Sequence, residues 1–310
     1  KGVGVWALVV QTLLNALLVT CLFFYYINWR PLKVFSKKSF QGLFSFGSKL
    51  LFSRLIHTLY YNLYAIVIGR RYSSAELGYY TRAEQLAIFP SSNINAIISR
   101  VTFPILSSIQ DDDKRLALVY RKYIRLASFL IFPLMIGLAA VAEPLVSFLL
   151  TDKWLGTVLL LQILCLDWML DHLSQINLNL LLIKGRSDLS LRLEIVKKII
   201  ATLILIISIP YGIEIMCWGR VLYSVLATYM NSYYTNRLIG LSLKTQLRDI
   251  FPSLLLAAGM GITVYYSISL FSSDLLKIIG GVVIGVVFYV MASVILRIEE
   301  FKELLLIIKK

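Results

Sequence analysis

The chain has 310 residues, 58% of them hydrophobic and only 15% charged, with a mean hydropathy of +0.78. That balance excludes an ordinary soluble domain and makes the lipid bilayer the expected solvent. The formal net charge of +14 would suit nucleic acid, but the Lys and Arg residues stand in connectors beside apolar runs, where membrane topology places them, so no nucleic-acid partner is expected.

A helix crosses the hydrocarbon core with about 20 mostly apolar residues, and such runs recur along the whole chain. They exclude an outer-membrane barrel, whose strands alternate polar and apolar positions. In chain order they predict helices over Val3–Ile27, Phe44–Ile68, Leu77–Ile105, Tyr120–Val141, Gly156–Ile183, Leu189–Ile209, Ile213–Leu238, Phe251–Phe271 and Leu275–Leu296. The expected fold is an all-α, polytopic transmembrane helix bundle of about nine spans, closed by an amphipathic tail over Glu299–Lys310. The first run is too long for a signal peptide and has no small-residue cleavage site. Without an initiator Met, the chain reads as a fragment lacking its own N-terminus.

Orientation follows from Lys and Arg. The connectors after the first, third, fifth, seventh and ninth spans hold Arg30/Lys33/Lys37/Lys38, Lys114/Arg115/Arg121/Lys122, Lys184/Arg186/Arg192, Arg237/Lys244/Arg248 and Lys302/Lys309/Lys310, which makes them cytoplasmic. The segments around Glu143–Lys153, Pro210–Glu214 and Ser272–Asp274 are poor in Lys and Arg and fall outside. Arg70 and Arg71 go against the rule.

Charges inside a bilayer are costly, so each needs a partner, a wet cavity or a function. On the second span Arg54, Thr58, Tyr61, Asn62 and Ala65 share one helical face, with His57 at its margin and Lys49 nearer the cytoplasmic end. On the third, Arg82, Gln85, Phe89, Asn93 and Arg100 do the same. The fifth span supplies acids: Asp167, Asp171 and Gln175 follow at one-turn spacing, with His172, Asn177 and Asn179 alongside. Two readings stand side by side: a structural ion pair of these acids with Arg54 or Arg100, and a site for substrate or coupling ion.

Other features read more plainly. Pro133 with Gly137 permits a kink, and Gly281 with Gly285 makes a small-residue face for close helix contact. The pairs Tyr25/Tyr26, Tyr79/Tyr80 and Tyr233/Tyr234 read as an interfacial belt. Cys21, Cys165 and Cys217 have neither disulfide nor metal spacing. Asp111–Asp113 matches a metal-holding D-x-D pattern but lacks a nucleotide-binding domain, so a turn capping the next helix is the expectation. No cofactor motif and no catalytic constellation is read, and the chain is not expected to be an enzyme.

Several stretches occur together: Leu77-Gly-Tyr-Tyr-Thr-Arg-Ala-Glu-Gln-Leu-Ala with Pro90, Arg100-Val-Thr-Phe-Pro-Ile-Leu-Ser, Gln110-Asp-Asp, Phe132-Pro-Leu-Met-Ile-Gly-Leu, Ala142-Glu-Pro-Leu, Lys153-Trp, Leu161-Gln-Ile-Leu and Lys184-Gly-Arg-Ser-Asp-Leu. In this combination the chain resembles the Wzx-type polysaccharide flippases of the multidrug/oligosaccharidyl-lipid/polysaccharide exporter superfamily. The resemblance implies one exporter lobe plus flanking helices. Residues 1–38 would be the last helix of an otherwise missing N-lobe with its cytoplasmic linker. Residues 39–240 would be a six-helix C-lobe, and residues 241–310 two additional helices with the cytoplasmic tail.

The resemblance also implies a bacterial inner-membrane protein that flips an undecaprenyl-pyrophosphate-linked oligosaccharide by alternating access, driven by a proton or sodium ion. Its partners would be that lipid, membrane lipids and a polysaccharide polymerase. The residues expected to meet substrate are Arg54, Arg100, Arg82, Asn62, Asn93 and Lys49, because guanidinium forks can take phosphate oxygens in pairs. Asp167 and Asp171 are expected to couple the ion. One position departs from relatives, which often carry an acid two residues after the Asn of the second span, where this chain has Tyr64. The alternatives are a small-molecule antiporter of the same superfamily and a membrane enzyme of polysaccharide assembly.

Overall fold

A computed structural model of the chain describes residues 6–27 and 35–308. Arg30, Lys33, Lys309 and Lys310 lie outside the described residues, as do the side chains of Lys49, Arg54 and His57. Among the described residues the regular structure is entirely helical. The elements are α1 (Trp6–Tyr26), α2 (Lys37–Arg71), α3 (Ser74–Ser108), α4 (Asp113–Ala140), α5 (Ala142–Leu150), α6 (Gly156–Ile183), α7 (Ser187–Ser208), α8 (Ile213–Ile239), α9 (Leu243–Ser267), α10 (Asp274–Ile295) and α11 (Glu299–Ile308). Each expected span corresponds to one long helix. The shortest of these, α1, has 21 residues, about 30 Å at 1.5 Å per residue and enough to cross the hydrocarbon core.

Helix is what the solvent demands, because within hydrocarbon every backbone N–H and C=O must be satisfied inside the chain. Local signals then set the ends. Ser73, Asp112, Ser242 and Ser273 accept from the first-turn amides of α3, α4, α9 and α10. Asp112 is the middle residue of the D-x-D triplet, and its capping bond from the Arg115 amide is the turn role read from sequence. Gly240, at a left-handed φ of 69°, closes α8, a conformation that costs glycine little. One element differs from expectation: the connector around Glu143–Lys153 folds into α5 and a 3-10 turn at Asp152–Trp154. With nine residues, α5 is too short to register as a span.

The chain divides into two compact units, Lys1–Arg54 and Leu55–Lys310. In the first, α1 exposes its apolar side chains from Val9 to Ile27, and Val9–Tyr26 is long and apolar enough to cross a membrane. In the second, α4 packs on α9, α6 and α3, while α6 packs on α8 and α3. α7 lies against α8, α10 against α9, and α11 chiefly against α4. Gly281 and Gly285 are buried where α10 meets α9, and a Cβ on Gly281 would come within 2.9 Å of Val141. Outward, α10 presents Val282, Val283, Val286, Val287, Met291 and Val294, a surface suited to lipid.

Hydrogen bonds sort the connectors into two ends. Lys184 on the α6–α7 turn donates to the Gln110 carbonyl and the Asp113 carboxylate of the α3–α4 turn. At the opposite end, Tyr72 donates to the carbonyl of Ile209, and Tyr79 to that of Lys153. The connector 109–112, followed by Lys114 and Arg115 in the first turn of α4, and the connector 184–186, with Lys184 and Arg186, therefore share one Lys/Arg-rich end of the bundle. Segments 72–79, 153 and 209 share the other, as alternating spans require.

Candidate functional site

Three of the long helices carry charge into the interior, and there they meet. Arg220 of α8 donates from Nη1 to Glu84 Oε2 of α3 at 2.6 Å and to the Tyr80 hydroxyl at 2.7 Å. Its Nε and Nη2 reach Asp167 Oδ2 of α6 at 2.8 and 2.6 Å. Ser224 donates to the other oxygen of Asp167. The Arg220 side chain is 14% accessible, Glu84 9% and Asp167 7%, so the ions are largely withdrawn from solvent. Two carboxylates share one guanidinium, and Glu84 Oε1 is buried without a partner. The guanidinium also lies over the rings of Tyr64, at 5.6 Å, and Trp168, at 6.0 Å.

Around this knot the polar surface continues. Lys198 of α7 places its ammonium 4.3 Å from the centroid of Tyr60 and 5.7 Å from that of Tyr223. Lys197 pairs with Glu194 one turn back on the same helix. Asp171 is half-buried one turn from Asp167, within electrostatic reach of Lys197 and Lys198. Further along α6, buried Asn177 donates to Gln246 of α9 at 2.9 Å and accepts from Thr235 of α8 at 2.7 Å. His172 faces Ser128 of α4 at 3.0 Å and is buried.

On the other side of the unit a cleft of about 940 Å³ opens between α3, α4, α5, α9, α10 and α11. Its walls are apolar: Phe89, Leu134, Leu138, Leu149, Met260, Val282, Val286 and Phe301 are among them, with Pro133, Gly137, Gly281 and Gly285 giving depth. It extends from α5 at one end of the bundle to α11 at the Lys/Arg-rich end. Arg82 and Gln85 of α3 are its main polar contribution, and they hydrogen-bond to each other at 2.8 Å.

The residues expected from sequence are placed as follows. Arg82 is exposed at the cleft, 5.9 Å from the Trp154 ring. Arg100, Asn93 and Asn62 are exposed; each Asn donates to the carbonyl four residues back on its own helix, Phe89 and Thr58 respectively. The side chains of Arg54 and Lys49 are outside the described ones. Asp167 does form a buried ion pair, but with Arg220 and not with Arg100. Of the α3 stripe, Arg82, Gln85 and Phe89 come together on the cleft, while Tyr80, Glu84, Ala87 and Ser91 form the buried face. Tyr80 is therefore no interfacial-belt residue. Arg220 and Glu84 are not among the residues expected from sequence, although Arg220, two turns into the apolar run Ile213–Leu238, is the signal that marks such a residue.

Comparison with known proteins adds the following. Residues 1–159 match the family described as "Polysaccharide biosynthesis protein". The chain is 30% identical over 239 residues to the teichuronic acid biosynthesis protein TuaB of Bacillus subtilis, covering 77% of this chain and 50% of that protein. It is 31% identical to the lipopolysaccharide biosynthesis protein WzxC of Escherichia coli, over 60% of this chain and 38% of that one. With the succinoglycan biosynthesis transport protein ExoT of Rhizobium meliloti it shares 25% identity, over 49% and 31%. The chain thus spans about half the length of the curated relatives it matches. Among solved structures, the inward closed conformation of the lipid II flippase MurJ shares the fold, with a TM-score of 0.71 at 15% identity over 88% of this chain and 57% of that one.

Proposed function

The chain belongs to the polysaccharide biosynthesis protein family, and from that premise we propose that it forms part of a flippase moving a lipid-linked oligosaccharide across the bacterial inner membrane. The substrate would be undecaprenyl-pyrophosphate-linked, carried from the cytoplasmic to the periplasmic leaflet by ion-coupled alternating access.

The observation that carries this reading is the apolar cleft. A lipid-linked sugar is an isoprenoid tail joined to an anionic, polar head, so its carrier needs a dry track for one and cations for the other. The cleft is about 940 Å³, within the range of about 300–1,000 Å³ typical of ligand pockets, and it runs between the two ends of the bundle. Arg82 meets it directly, and Arg100 stands exposed further along the same helix. Guanidinium forks suit phosphate oxygens. Asn62, Asn93, Arg54 and Lys49 complete the set proposed to meet the head group.

For coupling, two carboxylates on one guanidinium leave an excess negative charge at the Arg220 knot, with Glu84 Oε1 unpartnered. A proton or sodium ion would balance it, and Asp167 and Asp171 remain the proposed coupling acids, with Glu84 added. The test is reconstitution of the full-length protein in vesicles holding undecaprenyl-diphosphate-linked oligosaccharide, with a lectin outside to detect sugar crossing. Protein-dependent, gradient-dependent lectin binding is expected. Sugar that never becomes accessible would overturn the reading.

A further inference from the structure

At the Lys/Arg-rich end of the cleft, α11 folds back across the mouth. Phe301 and Leu304 form part of the cleft wall there. Its acids sit on two cations of α4: Lys122 Nζ is 2.7 Å from Glu303, Arg125 Nη1 is 3.2 Å from Glu299, and Arg125 Nε is 3.2 Å from Glu300. Three carboxylates thus face two cations. The fit is loose, for Arg125 Nε is buried and its approach to Glu300 lacks hydrogen-bond geometry. Arg125 stands one turn before Phe129, which itself lines the cleft.

The hold on α11 is uneven. Lys122 is 50% and Glu299 71% accessible, and exposed ion pairs contribute little, whereas Glu300 is 11% accessible and sits beside Arg125 without a hydrogen bond from its Nε. The joint to α10 passes through Arg297 at φ 52°, a left-handed conformation that side chains other than Gly and Asn rarely adopt. Short, amphipathic and docked chiefly on one helix, α11 has the makings of an element that opens before the rest does.

We infer that Lys122 and Arg125 form a loading site for the diphosphate of an isoprenoid lipid at the mouth of the cleft, and that Glu299, Glu300 and Glu303 occupy it in place of the ligand. A diphosphate offers Arg125 paired oxygens in the geometry that Glu300 fails to supply. The tail of the same molecule would then replace Phe301 and Leu304 along the apolar wall. This inference rests on the transport reading and locates its entry step.

The test uses the full-length protein in phosphatidylcholine nanodiscs, with Cys21→Ser to remove the exposed thiol and Leu304→Cys as reporter. Undecaprenyl diphosphate without sugar should raise maleimide labelling of the reporter about tenfold as α11 lifts. The triple variant E299Q/E300Q/E303Q should label at the raised rate without ligand and bind undecaprenyl diphosphate about tenfold more tightly, because the competitor is gone. Lys122→Gln with Arg125→Gln should lose the ligand response. Lys122→Gln alone, at a half-exposed position, keeps the fold and should weaken binding about threefold to tenfold.

Unchanged affinity in the triple variant, or full affinity without both cations, would overturn the site. Equal opening by phosphatidylglycerol alone would make it a general anionic-lipid site and overturn the diphosphate assignment. Protein that flips the sugar lipid with no α11 response sinks this inference alone. Protein that answers undecaprenyl diphosphate but flips nothing sinks the transport reading alone.

Discussion

Replacing Arg220 with Met removes the cation that bridges Glu84 and Asp167 and leaves both acids buried. The nitrogen–oxygen contacts of 2.6 Å put the charge centres about 4 Å apart, where each pair attracts by roughly 4 kcal/mol at an effective dielectric of about 20. Desolvating the ions costs several kcal/mol apiece, so the intact knot contributes little net stability. Its removal is different, because a stranded buried charge costs about 3–5 kcal/mol. Arg220→Met should therefore sharply lower the fraction of protein that stays monodisperse after heating in detergent, read by fluorescence-detected size exclusion. The triple variant E84Q/D167N/R220M, which leaves no charge to strand and keeps amides able to hydrogen-bond, should recover most of the loss. If coupling runs through this knot, the recovered protein should remain inactive in flipping. Heat stability of Arg220→Met equal to the parent, or a triple variant no better than the single one, would refute the argument.

Gly261→Leu should destabilise by about 1–3 kcal/mol through overpacking, since a Cβ there would collide with the Ile136 side chain on α4; added Ile136→Ala should restore part of it in the same heating assay. Asn177→Leu should cost about 1–3 kcal/mol by stranding buried partners, Gln246 and Thr235, and Gln246→Leu in the same chain should lessen the loss. Arg82→Gln, at an exposed cleft position, should leave heat stability unchanged while lowering transport roughly tenfold, the worth of one charge-assisted contact. In intact cells, Lys153→Cys should react with an impermeant thiol reagent and Lys184→Cys should not; the reverse pattern would invert the topology.

The sequence made the helices legible because a bilayer allows few ways to satisfy a backbone, and an apolar run of sufficient length has one outcome. Asp112 was readable as a cap for a similar reason, since its partner amide lies three residues on. The counter-charge of Asp167 was not readable from spacing. Helical periodicity tells which residues of α3 share a face, but both faces carry charge: Arg82 on one, Glu84 on the other. Which face turns inward depends on how α3, α6 and α8 are rotated against one another, and that is settled by packing among helices distant in sequence. The glycines were legible in kind, as small residues at helical spacing, whereas their partners Val141 and Val264 emerge only from the assembled bundle. Tyr80 was misread for the complementary reason: a Tyr near a helix end suits an interface equally well until a buried arginine claims its hydroxyl.

Where the fold spends its counter-charges indicates which helices must move together. Separating α8 from α3 breaks the Arg220–Glu84 contact and, in a low-dielectric interior, strands a charge at about 3–5 kcal/mol unless a proton or cation arrives. That is the requirement a coupled transporter has to meet: the rearrangement is forbidden when the site is empty of the ion and permitted when it is occupied. α7 imposes no such condition through its Lys197–Glu194 pair, which lies within one helix and travels with it. α10 meets α9 across Gly281 and Gly285, contacts of dispersion alone, which slide at small cost. α3, α6 and α8 thus meet in the ionic knot; on the cleft the α9–α10 contact is apolar, while α4 is held to α9 by Arg121–Asp249 and to α11 by the pairs of Lys122 and Arg125. Under the proposed transport reading, a lipid would reach the cleft where α9 and α10 slide with little energy, whereas a change of the ionic core would wait on the proposed ion.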